Sequence, residues 1–233
     1  MRALVILIVV AAIALIAGDR IAVLMAQNEI GRRIAAEYAL DRDPAVDIGG
    51  FPFLTQAADG RYETIDIRAG EWSEQDVTVR DLRLTLTDVT APLADLIGGD
   101  TSTLVAAGAT AEAVVAYDTV RRFADDGVRE LSDSPDGLQV TGTFRVEGLP
   151  FPVPATIVFA MAPTADGIEL TPISVQAAVG GPALPLSVLS RSLAFTIPLQ
   201  DLPLGAQITD IRAGPDGLHV SAAAADVRFA DLP

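Results

Sequence analysis

The chain has 233 residues, no cysteine and a formal net charge of −15, with half of its residues apolar and only 5% aromatic. The length allows one large domain or two small ones with a sizeable core, and the missing cysteine excludes disulfides, cysteine-ligated zinc and thiol catalysis. All 16 basic residues are arginines without a basic cluster, which argues against nucleic acid as a partner and against electrostatic adsorption to an anionic bilayer.

The first predicted element is an apolar amino-terminal helix. Ala3 to Gly18 carries no charged side chain and follows Arg2. Sixteen helical residues reach about 24 Å, short of the roughly 30 Å hydrocarbon core, but Ile21 to Ala26 completes a span and leaves Asp19-Arg20 near the interface. Small residues are badly placed for cleavage, so the pattern favours an uncleaved signal anchor over a cleaved signal peptide; a buried helix of a soluble domain is the third alternative.

The charge that precedes the apolar run predicts the location of the remaining chain. Arg2 lies on the amino-terminal side of this run, and positive charges stay in the cytoplasm. Both the anchor and the signal peptide therefore place the remainder on the extracytoplasmic face of the plasma membrane or in the periplasmic space, anchored or secreted.

From Asp19 to about Leu40 the apolar residues recur every three or four positions, which predicts an amphipathic helix. Glu29 and Arg33 form a favourable pair on its polar face, and Asp43-Pro44 ends it. Its apolar stripe needs a sheet to cover it. The residues of this stripe are Val23, Ala26, Ile30, Ile34 and Tyr38, of which the last three are predicted to line a lipid site.

The stretch from Gly49 to Gln56, with the sequence GGFPFLTQ, concentrates apolar side chains in a segment predicted to be a loop. Two glycines and a proline disfavour both a helix and a strand interior. Apolar side chains in a loop either plug the core or face a lipid or a partner. Phe51, Phe53 and Leu54 are therefore candidate lipid-contacting residues, with a core plug as the alternative.

After Pro44 the apolar period changes from 3.6 to 2, which predicts strands. The alternation slips by one residue at Arg80-Asp81 and predicts a bulge there. Strands are expected at 46–48, 65–69, 77–86, 103–116, 138–146, 157–161, 168–170 and 218–222, although the alanines of 103–116 also suit a helix. Short helices are expected at 117–124 and 185–194.

Asp-Gly pairs that precede alternating strands predict hairpin turns. The three clear copies are Asp136-Gly137, Asp166-Gly167 and Asp216-Gly217, and Asp59-Gly60 is a weaker fourth copy.

No motif in the sequence indicates catalysis. His219 is the only histidine, and we expect it to be a solvated side chain on the strand after a hairpin turn. The sequence has no Gly-x-Ser-x-Gly elbow, phosphate loop or metal-ligand spacing. We therefore expect no enzyme activity, no cofactor and no metal; an envelope hydrolase that uses two carboxylates is the alternative.

Apolar residues punctuated by prolines occur in two further segments, 148–154 and 180–204. Such loops beside a sheet that wraps a helix would line a lipid-holding cavity, and they would equally line an ordinary core. The candidate lipid-contacting residues in these segments are Phe151, Leu184, Leu186, Leu189, Leu193 and Phe195.

The run from Val46 to Gln56, followed by Gly60-Arg61-Tyr62, resembles the signature of the LmeA-like phospholipid-binding family of actinobacterial cell-envelope proteins. The tail from Leu202 to Ala222 is similar to the closing segment of that family. The resemblance implies a protein that binds phospholipid without catalysis and supports envelope glycolipid or lipoglycan synthesis. It also implies an α+β fold in which a curved antiparallel sheet, a meander of hairpins, wraps a long amphipathic helix, as in tubular lipid-binding (BPI-like) domains.

Together, the patterns and the resemblance predict residues 1–26 as a signal anchor or signal peptide and residues 27–233 as a single lipid-binding α+β domain. Acyl chains would lie between helix and sheet, and the expected function is phospholipid binding or transfer. The expected partners are phospholipid, the membrane through the amino-terminal helix, and a membrane-bound glycosyltransferase, but not nucleic acid. The alternative is an accessory protein that docks such a glycosyltransferase through its apolar loops without carrying lipid.

Overall fold

The computed structural model describes residues 2–74, 77–122, 124, 127–145, 151–164, 167–177, 195–198 and 205–231. These residues form an α+β structure with a long amino-terminal helix and two antiparallel sheets that do not close. The helices are α1 (Arg2–Glu37), α2 (Phe53–Asp59), α3 (Leu93–Gly98) and α4 (Tyr117–Arg122), with a 3-10 turn at Phe229–Asp231. The strands are β1 (Ala45–Ile48), β2 (Arg61–Glu74), β3 (Val77–Thr90), β4 (Val105–Val115), β5 (Val128–Ser134), β6 (Gly137–Phe144), β7 (Val153–Thr164), β8 (Gly167–Ala177), β9 (Phe195–Pro198), β10 (Gln207–Gly214) and β11 (Gly217–Arg228).

Helix α1 is continuous, but its two halves have different surroundings. Every described side chain up to residue 18 is exposed, whereas Val23, Ala26 and Ile30 are buried. By length and composition α1 is able to cross a membrane, which fits the predicted anchor or signal. The carboxyl-terminal half carries the predicted amphipathic stripe, and Ile34 packs partly against the same core.

The end of α1 differs from the prediction. The helix ends at Glu37, three residues before Leu40, because Ala39 has a left-handed φ of 50°. Tyr38 consequently lies outside the helix and is exposed. The predicted pair on the polar face is present, with Nε of Arg33 3.3 Å from Oε1 of Glu29.

The first sheet has the strand order β1-β2-β3-β4-β11-β10, and all of its neighbours are antiparallel. Its apolar face packs on α1, α2 and α3 around Tyr62, Leu86 and Val89, which are almost completely buried. The predicted bulge is confirmed: the pairing of β3 with β4 shifts between Arg80 and Arg83, and Asp81 has φ 51°. The segment predicted at 103–116 is strand β4.

The second sheet contains β5 to β9 in chain order. Its apolar residues form a second core with Ile211 of β10 and Leu218 of β11. The prediction of one curved sheet is therefore wrong. Strand β11 returns to pair with β4, so β5 cannot extend the first sheet there, and α4 leads the chain into a new one. The likeness to tubular lipid-binding domains stays a prediction.

The Asp-Gly pairs have two different roles. Asp136-Gly137 and Asp216-Gly217 lie in β-hairpins as predicted, with Pro-Asp as the two turn residues and glycine as the first residue of the next strand. Asp59-Gly60 is instead the end of α2, where Gly60 is a left-handed cap with φ 63°. Asp166 and the helix predicted at 185–194 lie outside the described residues.

We expect Gly217→Ala to destabilise the protein. Gly217 has φ 148°, and a Cβ there would collide with the backbone oxygen of Val115. Since the backbone is incompatible with alanine, the free energy of unfolding should fall by more than about 1 kcal/mol in urea titrations of the detergent-solubilised full chain. Gly70→Ala is the matched control, because a Cβ at Gly70 meets open space. Equal stability of the two variants would contradict this account.

Candidate functional site

The centre of the candidate site is a carboxylate on α1. Asp19 is only 3% exposed, and its Oδ2 accepts a hydrogen bond from Nη2 of Arg20 at 2.7 Å. Its Oδ1 accepts from the backbone N–H of Leu54 at 2.8 Å. Pro52 precedes α2 and provides no side-chain cap. Asp19 therefore caps α2 from another helix, and its negative charge suits a helix amino terminus.

The GGFPFLTQ stretch contains helix α2 where a loop was predicted. The helix starts immediately after Pro52, because Asp19 supplies the hydrogen-bond acceptor that the local sequence lacks. Phe53 is 1% exposed and packs on Tyr62 with ring centroids 6.4 Å apart. Phe51 and Leu54 are 58% and 49% exposed. Within this stretch, Phe53 is a core plug, whereas Phe51 and Leu54 form apolar surface.

Gln56 fixes this stretch to the first sheet. Its Nε2 donates to the backbone oxygen of Gly49 at 3.1 Å, and its Oε1 accepts from the backbone N–H of Glu63 at 2.9 Å. Gly50 adopts φ 87°, a left-handed conformation that favours glycine. The polar residues and glycines of the stretch therefore hold α2 in place between α1 and β2.

Phe51, two residues before α2, lies against α1. The guanidinium carbon of Arg20 is 5.1 Å from the centroid of the Phe51 ring, a cation–π distance. On the same helix, Ile21, Leu24 and Met25 remain exposed. Apolar surface therefore continues past the Asp19-Arg20 pair.

A second apolar surface crosses the first sheet. Five residues, each the cross-strand partner of the next, form one row on the face that packs on α1. They are Ile67, Leu84, Ala111, Ala222 and Ile208, on β2, β3, β4, β11 and β10, and all are half-buried. Ile67 and Leu84 border the core under α1, whereas Ile208 borders the second core. We call this set the sheet row.

The opposite face of the same strands is polar. A cavity of about 220 Å³ is lined there by Asp66, Arg68, Arg83, Thr85, Thr110 and Glu112, and Ile67 and Leu84 also border it. Oγ1 of Thr85 donates to Oδ1 of Asp66 at 2.5 Å. The two arginines are accompanied by two carboxylates, so this cavity carries little net charge.

The remaining predicted lipid-contacting residues are distributed over the molecule. Ile30 is buried in the core under α1, while Phe151, just before β7, is 76% exposed. Phe195 is the first residue of β9, whose backbone pairs with Leu170. Leu184, Leu186, Leu189 and Leu193 lie outside the described residues. The structure therefore brings together Phe51, Phe53 and Leu54, but not these residues with Phe151.

His219 is half-exposed on β11 as predicted. Its Nε2 lies 2.8 Å from Oδ1 of Asp216, and this contact lowers the pKa of the Asp216 carboxyl below its usual value. Within the described part of the chain, no three His, Asp or Glu residues are grouped to hold a metal ion.

Two parts of this site were not predicted from the sequence. The sequence predicts Asp19 as a charge near the membrane interface, and only its position inside an apolar helix indicates that it needs a partner. The sheet row was not identified, because its alanines do not stand out in an alanine-rich chain.

The family model described as LmeA-like phospholipid-binding matches residues 17–223. The match includes Asp19, all of α2 and the sheet row. Comparisons with curated proteins and with solved structures gave no significant match.

We expect Phe53→Ala and Phe51→Ala to differ strongly in stability. Removal of the buried Phe53 ring should cost about 3–5 kcal/mol. Removal of the exposed Phe51 ring should cost at most about 1 kcal/mol, the value of an exposed cation–π contact. Urea unfolding of the two full-length variants, followed by circular dichroism in detergent, measures the difference. Similar losses would show that Phe53 is not the core plug of this stretch.

Proposed function

Because the chain belongs to the LmeA-like phospholipid-binding family, we propose that it is a non-catalytic phospholipid-binding protein of the cell envelope. Helix α1 would hold it at the extracytoplasmic face of the membrane as an uncleaved anchor. The observation that carries the proposal is the sheet row, an apolar surface that the two cores leave half-covered.

The sheet row has the chemistry and the dimensions to hold an acyl chain. Four interstrand spacings give it a length of about 19 Å. Ala111 and Ala222 at its centre leave room that larger side chains would fill. Burial of apolar area contributes about 25 cal/mol per Å², so affinity needs no charge pairing in a chain with net charge −15.

The acyl chain is proposed to lie beside the helix–sheet contact and not beneath it. Val23, Ala26 and Ile30 of α1 are each less than 10% exposed where they meet the first sheet. A ligand beneath them would have to separate a packed core. The sheet row borders this contact and its side chains are partly exposed, so a chain laid along it need not separate that core.

The chain's one histidine lies on the other face of the sheet from the sheet row. His219 is paired with Asp216 of its own hairpin, and its side chain points to the opposite face of β11 from Ala222. The proposed role is to accept a phospholipid from the membrane and present it to envelope glycolipid or lipoglycan synthesis, as the family resemblance implies.

One observation favours the second candidate function, docking of a membrane-bound glycosyltransferase. Phe151 is 76% exposed just before β7 of the second sheet. A large exposed ring is typical of protein interfaces. In this case Phe151→Ser would impair glycolipid synthesis in cells and leave phospholipid binding intact.

We expect Ala222→Phe to reduce the phospholipid that the protein carries. The ring would occupy the middle of the sheet row, whereas in Ser221→Phe, the control, it points to the opposite face of the same strand. Native mass spectrometry of full-length protein released from detergent would compare the bound phospholipid. Both variants contain α1, so the phospholipid bound around the anchor is the same in both and does not contribute to the difference between them. Circular dichroism must show that both are folded.

Two results would contradict the proposal. One is a folded Ala222→Phe variant that carries as much phospholipid as Ser221→Phe. The other is a wild-type protein that, after delipidation, takes up no phospholipid beyond the amount bound by isolated α1 in the same detergent.

A further inference from the structure

We infer that α2 and Phe51, which lies two residues before it, form a membrane-insertion platform: the contacts with Asp19 and Arg20 hold Leu54 and Phe51 at the depth of the outer bilayer interface, so the domain rests on the lipid surface through these two side chains. The inference uses α1 as a membrane span. It does not depend on lipid uptake by the sheet row.

The first step concerns the depth of Asp19. Twenty helical residues cross the roughly 30 Å hydrocarbon core, so a span that starts at Ala3 ends near Ala22. The exposed apolar side of α1 continues beyond that residue, with Leu24 and Met25. Asp19 therefore lies about 5–9 Å inside the end of the apolar surface, at 1.5 Å per residue.

The second step explains why a carboxylate is tolerated there. An unpaired charge at this depth is costly, so such residues pair or bond to backbone groups. Asp19 does both, through the Arg20 guanidinium and the amide of Leu54. Its burial thus requires α2 to lie against α1 at the same level as the membrane interface.

The third step places the exposed side chains. Leu54 is held by its own N–H to Oδ1 of Asp19, and Phe51 lies under the Arg20 guanidinium. Neither residue can move far from this level while α2 stays capped. Both are about half-exposed. Aromatic and aliphatic side chains at this depth enter the boundary between headgroups and acyl chains.

The chemistry of the platform selects a lipid surface as its occupant. It is apolar, it lies at the level of α1 where Ile21, Leu24 and Met25 are exposed on the helix, and its cation, Arg20, has a flexible stem that lets the charge reach the headgroups. A net charge of −15 gives no general attraction to anionic lipid. Insertion therefore rests on apolar burial. A single helix leaves the domain free to rotate about the helix axis, and a second contact beside it removes that freedom.

The absence of cysteine allows a direct depth measurement. Leu54→Cys would carry a spin label in the full chain, reconstituted into vesicles of phosphatidylglycerol and phosphatidylethanolamine. Tyr38→Cys and Ile173→Cys are matched controls, because both residues are exposed and lie away from α2. We expect the label at 54 to collide with oxygen and to be shielded from a water-soluble nickel chelate, and the two control labels to show the reverse.

Two outcomes of this measurement would overturn the inference. A label at 54 as open to the nickel chelate as the label at 173 places α2 in water. A label at 54 shielded from both reagents places α2 against another copy of the chain. Ala222→Phe in the same background should leave the label depth unchanged, so failure of the platform and failure of phospholipid binding by the sheet row are distinguishable.

A second variant tests the role of Asp19. Asp19→Leu removes the cap and should move the label at 54 towards water, with loss of its shielding from nickel. Asp47→Leu is the control, because Asp47 also bonds to α1, through Gln27, but is exposed. An unchanged depth in a folded Asp19→Leu variant would contradict the role of Asp19. If that variant does not fold, the depth of the label at Leu54→Cys decides the inference alone.

Discussion

A carboxylate within an apolar helix must find hydrogen-bond donors, and Asp19 finds them by bringing α2 onto α1. The amides at the start of α2 have the complementary need, because Pro52 offers them no cap. The bond between the Asp19 carboxylate and the start of α2 meets both needs, and it sets the position of Phe53 in the core under α1. The packing of the first sheet on the helix, with Tyr62 against Phe53, follows from this position.

The GGFPFLTQ stretch shows how one short segment serves both the core and the surface. Alternate sides of a short helix face different surroundings, so Phe53 can be buried while Leu54, the next residue, stays half-exposed. Gln56 and the two glycines hold the segment against β2, and none of them contacts lipid in this account. The choice between core plug and lipid contact is therefore made residue by residue and not for the stretch as a whole.

The sequence was most informative where structure is local. The stripe of α1, most strands and the bulge after Arg80 follow from periodicity alone. Helix α2 was missed because its cap comes from a residue 35 positions earlier. Strand β5, whose sequence VRELSDS does not alternate, was missed as well. The second sheet depends on the return of β11 to β4, a pairing between distant segments. Apolarity alone could not separate Phe51 from Phe53 or find the sheet row, since both depend on tertiary packing.

The proposed lipid contacts are apolar, and this limits what the protein can recognise. The arginines next to Ile67 and Leu84 in the chain are Arg68 and Arg83, which lie on the opposite face of the sheet. They cannot pair with the phosphate of a lipid whose acyl chain lies on the sheet row. Recognition through the row therefore depends on acyl chains, which all membrane phospholipids share. The position of the domain would then select the lipid. In this proposal α1 and the platform hold the domain against one leaflet, where it meets only the lipids of that leaflet.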